Sequence, residues 1–518
     1  MLIKTYVTSL KSLILFFLFS ITSCLPQEDS ESTIISSDIC NDSYRNDSIT
    51  LTSGLVPFRD LMTDQTGALV LEDGSGALIA RAWLSEYAEK TIDIQYFIFS
   101  LDNIGLIASE YLVRAANRGV KVRIVVDDIM VKADIEDILV FASHPNISVK
   151  IYNPGVNLGK NIYDKLKKFT LDFRGANQRM HNKTFIVDGK AVITGGRNIA
   201  DEYFDYDHDY NFRDRDILLL GKGSKQVQSS FEEFWESSLS HDIKDLMDMN
   251  NSNNYESDNF NNLHDYACDP QNLWPEIRVR IDSFPDFLIQ ENRSHNLVWL
   301  SNIEFISDQP GKNNVTSGLT GGGATTSALI RLIDEAKSSI EIQTPYLITT
   351  DLGKSIFKAA TDRGVEVRIL TNSLASTDNV EAFSSYQSDR ENLLDAGIKI
   401  FEFRPDASVM KTLLTGELHD SSVNHSLFGL HAKTMIIDNE VTVIGTFNLD
   451  PRSANLNTEC IVVIRSAELA RGVLTGIEKE FQSENSWRIT RDFNPDNTVS
   501  RSKRVKTWTR KLIPKEIL

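Results

Sequence analysis

His181-Asn182-Lys183-Thr184-Phe185-Ile186-Val187-Asp188-Gly189 returns further along the chain as His431-Ala432-Lys433-Thr434-Met435-Ile436-Ile437-Asp438-Asn439. The first copy runs on to Gly195-Gly196-Arg197-Asn198 and the second to Gly445-Thr446-Phe447-Asn448, so His to Asn spans 17 positions in both. His and Lys stand two apart, which puts both side chains on one face of a strand. The apolar residues after them mark that strand as mostly buried. Gly195 and Gly196 let the backbone approach a ligand closely, and the asparagine then supplies an amide near a helix start. One His-x-Lys on a strand is ordinary surface decoration. Two, at one spacing and with the same trailing residues, imply duplicated domains that share a site at a pseudo-twofold interface.

The repeat extends outward. Thr91-Ile92-Asp93-Ile94-Gln95 matches Ser339-Ile340-Glu341-Ile342-Gln343 at an offset of 248, and Arg118 to Ile124 matches Arg363 to Ile369 at 245. The His motifs lie 250 apart. Matches at nearly one offset are the mark of an internal repeat. In the first half, 77–87 reads as helix, 92–99 as buried strand, 104–117 as helix, 120–126 as strand and 133–142 as helix. Gly119 and Gly364 sit where helix C-caps are expected. Strand, helix, strand order implies a largely parallel sheet. The expected fold is α/β: two duplicated domains, each a mostly parallel sheet flanked by helices. The expected boundaries are a signal peptide over 1–23, a polar tether over 24–58, a first domain over 59–245, a linker over 246–300, a second domain over 301–495 and a basic tail over 496–518.

Composition narrows the function classes. With 41% hydrophobic and 24% charged residues among 518, the chain can bury a core, and wholesale disorder is excluded. Basic residues number 54 and acidic residues 72, a net charge of −18. A sequence-blind nucleic-acid coat needs a basic field, so nucleic acid is disfavoured as a partner. Four cysteines exclude a disulfide scaffold and a multi-cysteine zinc site. Lys4 and Lys11, the apolar run Leu13 to Phe19 and Ile21-Thr22-Ser23-Cys24 resemble a bacterial lipoprotein signal. That resemblance implies lipidation of Cys24 and a membrane-anchored lipoprotein of the bacterial cell envelope, outside the cytoplasm. Cys40 and Cys268 are then candidates for pairing, and Cys460 reads as a buried, inert thiol.

A site of two imidazoles, two ammonium groups and two amides suits a phosphodiester. Lys183 and Lys433 would neutralise the phosphate and the charge developing on it. One histidine would attack phosphorus while the other protonates the leaving alcohol. Each histidine has a lysine beside it, and an ammonium opposes a dication, so neither a metal nor another cofactor is expected.

These residues resemble the phospholipase D superfamily, whose members carry two such HKD motifs, over nearly all of residues 60 to 490. Gly195 to Phe204, Pro345-Tyr346, Thr371 to Asp378, Asn448 to Ser453 and Asn457-Thr458-Glu459 are similar to its cardiolipin synthase C branch. The resemblance implies phosphatidyl transfer through a phosphohistidine, with His181 as nucleophile and His431 as acid; the motifs alone are symmetric. Asp188 and Asp438 complete the catalytic set by motif, although both lie at turns, where they read as loop supports. The resemblance further implies a carboxylate orienting each imidazole. Glu202 and Glu459 are the candidates, with Asp201 as an alternative to Glu202. Asn198 and Asn448 are supporting residues, and Arg197 and Arg452 are candidates for a headgroup contact or a plain salt bridge. The implied partners are phosphatidylglycerol, phosphatidylethanolamine and a membrane surface, and the implied reaction is metal-independent transfer of cardiolipin synthase type. Hydrolysis of phospholipid to phosphatidic acid is the first alternative, favoured by an exported form, and nuclease chemistry the second. The C-terminal stretch, with seven basic residues and Trp508, is a candidate contact for anionic lipid.

Overall fold

The computed structural model describes residues 49–128, 135–155, 173–207, 209–246, 258–313, 319–413 and 427–517. The signal segment, Cys24 and Cys40 lie outside them. Among the described residues no helix is long and apolar enough to cross a membrane. The expectation of a membrane-anchored lipoprotein in the envelope is corrected on that finding.

The first half builds a nine-stranded sheet. Its strands are β1 (Thr66–Leu71), β2 (Thr91–Tyr96), β3 (Lys121–Asp127), β4 (Ile147–Tyr152), β5 (Thr184–Val187), β6 (Ala191–Gly195), β8 (Asp216–Gly221) and β9 (Ser240–Asp242), with β10 (Val298–Leu300) on one edge. Between them in sequence, β7 (Tyr210–Arg213) leaves the sheet. The second half builds an eight-stranded sheet from β11 (Glu304–Ser307), β12 (Ser339–Gln343), β13 (Glu366–Asn372), β14 (Lys399–Phe403), β16 (Thr434–Ile437), β17 (Val441–Gly445), β18 (Cys460–Arg465) and β19 (Ser486–Arg488). Its β15 (Leu427–Leu430) pairs in parallel with β7 of the first half.

The sheets are mixed and mostly antiparallel, which corrects the expected parallel order. Within the two large sheets only β2–β3–β4 and β12–β13–β14 run parallel. These are the strands joined by helices, such as Asn103–Asn117 and Asp351–Asp362, whose first turns are capped by Asp102 and Thr350. A parallel pair needs a crossover of a dozen residues or more. Three residues, Asp188 to Lys190, join β5 to β6, so the motif strand must turn straight back. The motif strands also run antiparallel to β2 and β12, in matching register: Gln95 faces Thr184 and Gln343 faces Thr434.

Inner faces of both sheets contribute to one apolar cluster. It holds Ile186, Val192, Ile217 and Leu219 from one half and Ile436, Ile444, Val462 and Ile464 from the other, all buried. Each such side chain contributes about 1.5–3 kcal/mol by leaving water. The outer faces are covered by helices and hold separate cores. The expected linker, 246–300, is largely folded where it is described. Helices Asp258–Cys268, Pro275–Asp282 and Phe284–Arg293 lie there, the Phe284 ring sits 5.1 Å from Trp83, and β10 extends the first sheet. Cys268 is disulfide-bonded and Cys460 is a free, buried thiol. The expected tail also folds: helix Arg501–Arg510 buries Thr507 and sets Arg510 3.0 Å from Glu381.

Candidate active site

His181 and His431 stand just before their motif strands, and each is tied to the opposite half through its backbone. His181 N–H donates to the Thr458 carbonyl at 2.9 Å, and His431 N–H donates to the Arg213 carbonyl at 2.8 Å. The side chains cross the same boundary. Glu459 Oε2 lies 2.8 Å from His181 Nδ1, and Asp214 Oδ2 lies 2.5 Å from His431 Nδ1. Each half therefore supplies one imidazole and the carboxylate that orients the other half's imidazole. With Nδ1 engaged, Nε2 is the ring nitrogen left for substrate. Both histidines are 6% exposed, Lys183 1% and Lys433 5%, so all four groups are almost wholly buried. Each lysine donates back to the carbonyl of its own histidine, at 2.9 Å for Lys183 and 2.5 Å for Lys433. An ammonium carries three donors, so both retain capacity for a phosphate oxygen.

Electrostatics follow from burial. Desolvation pushes His181 down to about 4 and His431 to about 3, against the opposing pull of Glu459 and Asp214. Burial thus favours the neutral form of both imidazoles at pH 7. Desolvation also pushes Lys183 down to about 8 and Lys433 to about 7. Asp214 and Glu459 are held below the usual carboxylate range. Burial opposes this, but the histidine and lysine beside each carboxylate outweigh it. Two buried ammonium groups held close to the point of losing charge, beside two neutral imidazoles, make a site suited to an anion.

The second motif glycine has a local reason. A Cβ on Gly196 would stand 2.0 Å from Asp214 Oδ1, so only glycine lets that carboxylate through to His431. In the second half Thr446 takes this place, and its hydroxyl donates to Glu459 Oε2.

The other expected residues divide. Asp188 accepts from the backbone N–H groups of Glu89, Lys90 and Thr91 at 2.7–2.9 Å, and Asp438 from those of Lys337, Ser338 and Ser339 at 2.7–3.1 Å. Both sit at the far ends of the motif strands from the histidines and pin the entry to β2 and β12, so they do not join the imidazole cluster. Asn198 Oδ1 accepts from Ile98 N–H at 3.2 Å, whereas Asn448 Oδ1 is buried with no hydrogen-bond partner. Arg197 makes the salt bridge expected as its alternative, 3.6 Å from Asp216. It is 2% exposed and donates to the carbonyls of Leu71, Glu72, Tyr203 and Asp214, which braces the Asp214 loop. Arg452 donates to Asn177 and to the Ile517 carbonyl.

Glu202 is a correction. It lies in the short helix Asp201–Tyr203, and the partner of His431 is Asp214. Sheet register carries the signal that nearness in sequence lacks. Gly195 faces Asp216 and Gly445 faces Ile461, so Asp214 is the counterpart of Glu459, each two residues earlier. Sequence reading also missed the two groups that fix the backbone ahead of each histidine. Asp127 accepts from Met180 N–H at 2.7 Å, and Asn372 accepts from Leu430 N–H at 2.8 Å. Both end the strand that follows the matched Arg-Gly-Val segment.

Against known proteins, the family model described as "Cardiolipin synthase, PLD-like domain" matches residues 85–235 and 329–483, once per half. Cardiolipin synthase C of Escherichia coli is 32% identical over 451 residues, 85% of this chain and 90% of that protein. An uncharacterised protein of Helicobacter pylori is 34% identical over 431 residues, 82% of this chain and 81% of that one. The crystal structure of phosphatidylserine synthase from Haemophilus influenzae superposes with a TM-score of 0.55 at 13% identity, covering 90% of this chain and 100% of that one, a likeness of fold. Duplicated halves, paired HKD motifs and enzymatic phosphodiester chemistry all follow from one conclusion: the chain belongs to the phospholipase D superfamily, in its cardiolipin synthase group of PLD-like domains.

Proposed function

We propose that the chain transfers a phosphatidyl group between alcohols in the manner of a cardiolipin synthase, with phosphatidylglycerol or phosphatidylethanolamine as partners. The observation that carries the reading is the pair of crossed histidine–carboxylate contacts, with Lys183 and Lys433 buried beside them. In this reading a pseudo-twofold relates the halves and the phosphodiester lies between the two Nε2 atoms. The lysine ammonium groups bind its anionic oxygens and stabilise the added charge as phosphorus becomes five-coordinate. His181 Nε2 attacks phosphorus, a P–N bond forms, and the P–O bond to the headgroup breaks. The leaving oxygen takes a proton from His431 Nε2. His431 is held low in the empty site by burial and Lys433, and the arriving anion offsets that, so substrate itself favours the proton His431 needs. A second alcohol then gives its proton back to His431 and attacks phosphorus. The P–N bond breaks and His181 is restored. Glu459 and Asp214 keep both rings aligned throughout.

Lipid is favoured over nucleic acid because cardiolipin synthase C, to which this chain is 32% identical over 85% of its length, is by name a lipid enzyme, and because a net charge of −18 repels polyanions at low salt. The test is purified protein with defined phospholipids in mixed micelles, products read by mass. Cardiolipin with phosphatidic acid as a side product supports the reading. Phosphatidic acid alone at every donor ratio makes the chain a hydrolase, and cleavage of DNA with neither lipid product makes it a nuclease.

A further inference from the structure

The two histidines face different walls. Continuing the β2–β5 register past Gln95 and Thr184 brings Ile98 opposite His181, and the Phe97 ring meets the His181 ring edge-on at 4.9 Å. Tyr346 lies three residues past Gln343, and His431 three residues before its partner Thr434, so both leave the paired strands at the same end. Tyr203 meets the His431 ring edge-on at 5.0 Å. Tyr346 donates its hydroxyl to Asp378 Oδ2 at 2.9 Å. The loop that carries Asp378 is held in place on the same side: Tyr210 donates to the Ser376 carbonyl at 2.6 Å, and Asn372 brackets Leu430, next to His431, through both its N–H and its carbonyl. Among the described residues, then, the Phe97 ring meets His181, whereas His431 meets the Tyr203 ring and, at 4.9 Å, the Phe212 ring, and the Tyr346 hydroxyl and the exposed Asp378 carboxylate belong to the His431 half.

That carboxylate needs a reason. Asp378 lies within electrostatic reach of Lys433 and of Tyr203, Tyr210 and Tyr346. A negative charge there works against an anionic substrate, unless the substrate brings hydrogen-bond donors to meet it. Tyr346 and the backbone N–H groups of Asp378 and Asn379 already lie on this carboxylate, which burial pushes up from its ordinary range, and an ionised carboxylate has about four lone-pair sites, which leaves one for a further donor. We propose that Asp378 and Tyr346 form the subsite for the alcohol part of the substrate on the His431 side, selecting headgroups that carry an ammonium N–H or free hydroxyls. The inference rests on the phospholipid reading above and adds what that reading lacks, a determinant of which alcohol leaves and which enters. It also agrees with His431 as the group that protonates the leaving oxygen, since the subsite lies on its side. The competing explanation is structural: Lys503, half-buried on helix Arg501–Arg510, is also within electrostatic reach of Asp378, so the carboxylate would merely seat that helix.

The experiment compares headgroup release from phosphatidylethanolamine, phosphatidylglycerol and phosphatidylcholine in mixed micelles, as ratios of kcat/KM. Ethanolamine offers N–H donors and glycerol offers hydroxyls, whereas the choline headgroup offers neither. The wild type should favour the first two over the third. Asp378→Asn should lower the ethanolamine-to-choline ratio about tenfold to a hundredfold, the range for hydrogen bonds to a charged group. Tyr346→Phe should move it the same way by a smaller factor, and it decides the matter alone if Asp378→Asn does not fold. A purely structural Asp378 would change stability and leave the ratio where it was. An unchanged ratio in the folded variants, with the wild type active on phospholipid, overturns the subsite and spares the phospholipid reading. Inactivity of the wild type on all three lipids overturns both.

Discussion

The two halves agree where phosphate is handled and differ where the roles must separate. The shared part is close. In each, the strand that follows His-x-Lys lies antiparallel to the first strand of the repeat, an aspartate at the far turn gathers three backbone N–H groups, and a carboxylate crosses to the other half's imidazole. The differences lie in the surroundings. Gly196 gives Asp214 room, while Thr446 donates a hydroxyl to Glu459. Asp127, an anion, fixes the backbone before His181, and the neutral Asn372 does so before His431. Phe97 packs on one ring, and Tyr203 with Phe212 on the other. A duplication supplies two of everything, but the transfer reaction needs one nucleophile and one acid at any moment. The divergent neighbours are where that distinction can be made.

The lysines belong to the shared part, so removing either should cost most. Lys183→Ala and Lys433→Ala are each expected to lower kcat on the order of 10²–10³-fold, as for loss of one donor to a developing oxyanion. Activity should survive a chelator. A loss in EDTA that a divalent ion restores would break the comparison, because the lysines would then not be supplying the charge.

The pair Gly196 and Thr446 sharpens the comparison next. Gly196→Ala puts a carbon where Asp214 now passes, and should lower kcat by about 10²-fold through misalignment of His431. Thr446→Ala removes one hydrogen bond to Glu459 and should cost about tenfold. Equal effects from the two would mean that the carboxylates are not reached through these positions.

Much of this was legible in the sequence, and its failures have physical causes. Two copies of His-x-Lys with one spacing reveal the duplication and the residues that meet, because strand geometry puts i and i+2 on one face. The direction of the strands was not legible. A helix between two strands predicts a parallel pair, but the short turn at Asp188 to Lys190 imposes the opposite, and it was outweighed by the three strands that do obey the rule. Asp214 was missed because the choice of Glu202 rested on nearness to Asn198, whereas the contact is set by which residue of β8 faces Gly195. For Arg197 the sequence leaves a headgroup contact and a plain salt bridge open, and only the contacts with Asp216 and the surrounding carbonyls decide for the salt bridge. The folded stretch 258–300 reads as linker in composition because its apolar residues are sparse and lie at helical spacing, with Leu273, Ile277, Ile281 and Leu288 buried against the first half.

The charge of the empty site gives a smaller, solution-level effect. Lys183 and Lys433 are held down to about 8 and 7, so the unfolded chain binds more protons than the folded one from about pH 7 up to the ordinary lysine range. Stability contributed by these groups therefore rises with pH across that window. Inorganic phosphate should offset the burial of charge below it. The rise in Tm on adding phosphate is expected to be larger at pH 6 than at pH 9, and Lys183→Ala should remove most of the difference. The smallest effect concerns the turn aspartates: Asp188→Ala and Asp438→Ala should each cost about 1–3 kcal/mol of stability by freeing backbone N–H groups, while kcat per folded molecule holds.

The most direct test of the account is to trap the covalent intermediate. Wild-type protein and the variants His181→Ala and His431→Ala are quenched during turnover of phosphatidylglycerol, and the adduct is located by peptide mass mapping. The account predicts a phosphatidyl group on the His181 peptide, accumulating in His431→Ala because release slows, and absent from His181→Ala. An adduct on His431 would reverse the roles assigned to the two halves, and turnover with no adduct on either histidine would contradict the phosphohistidine mechanism itself.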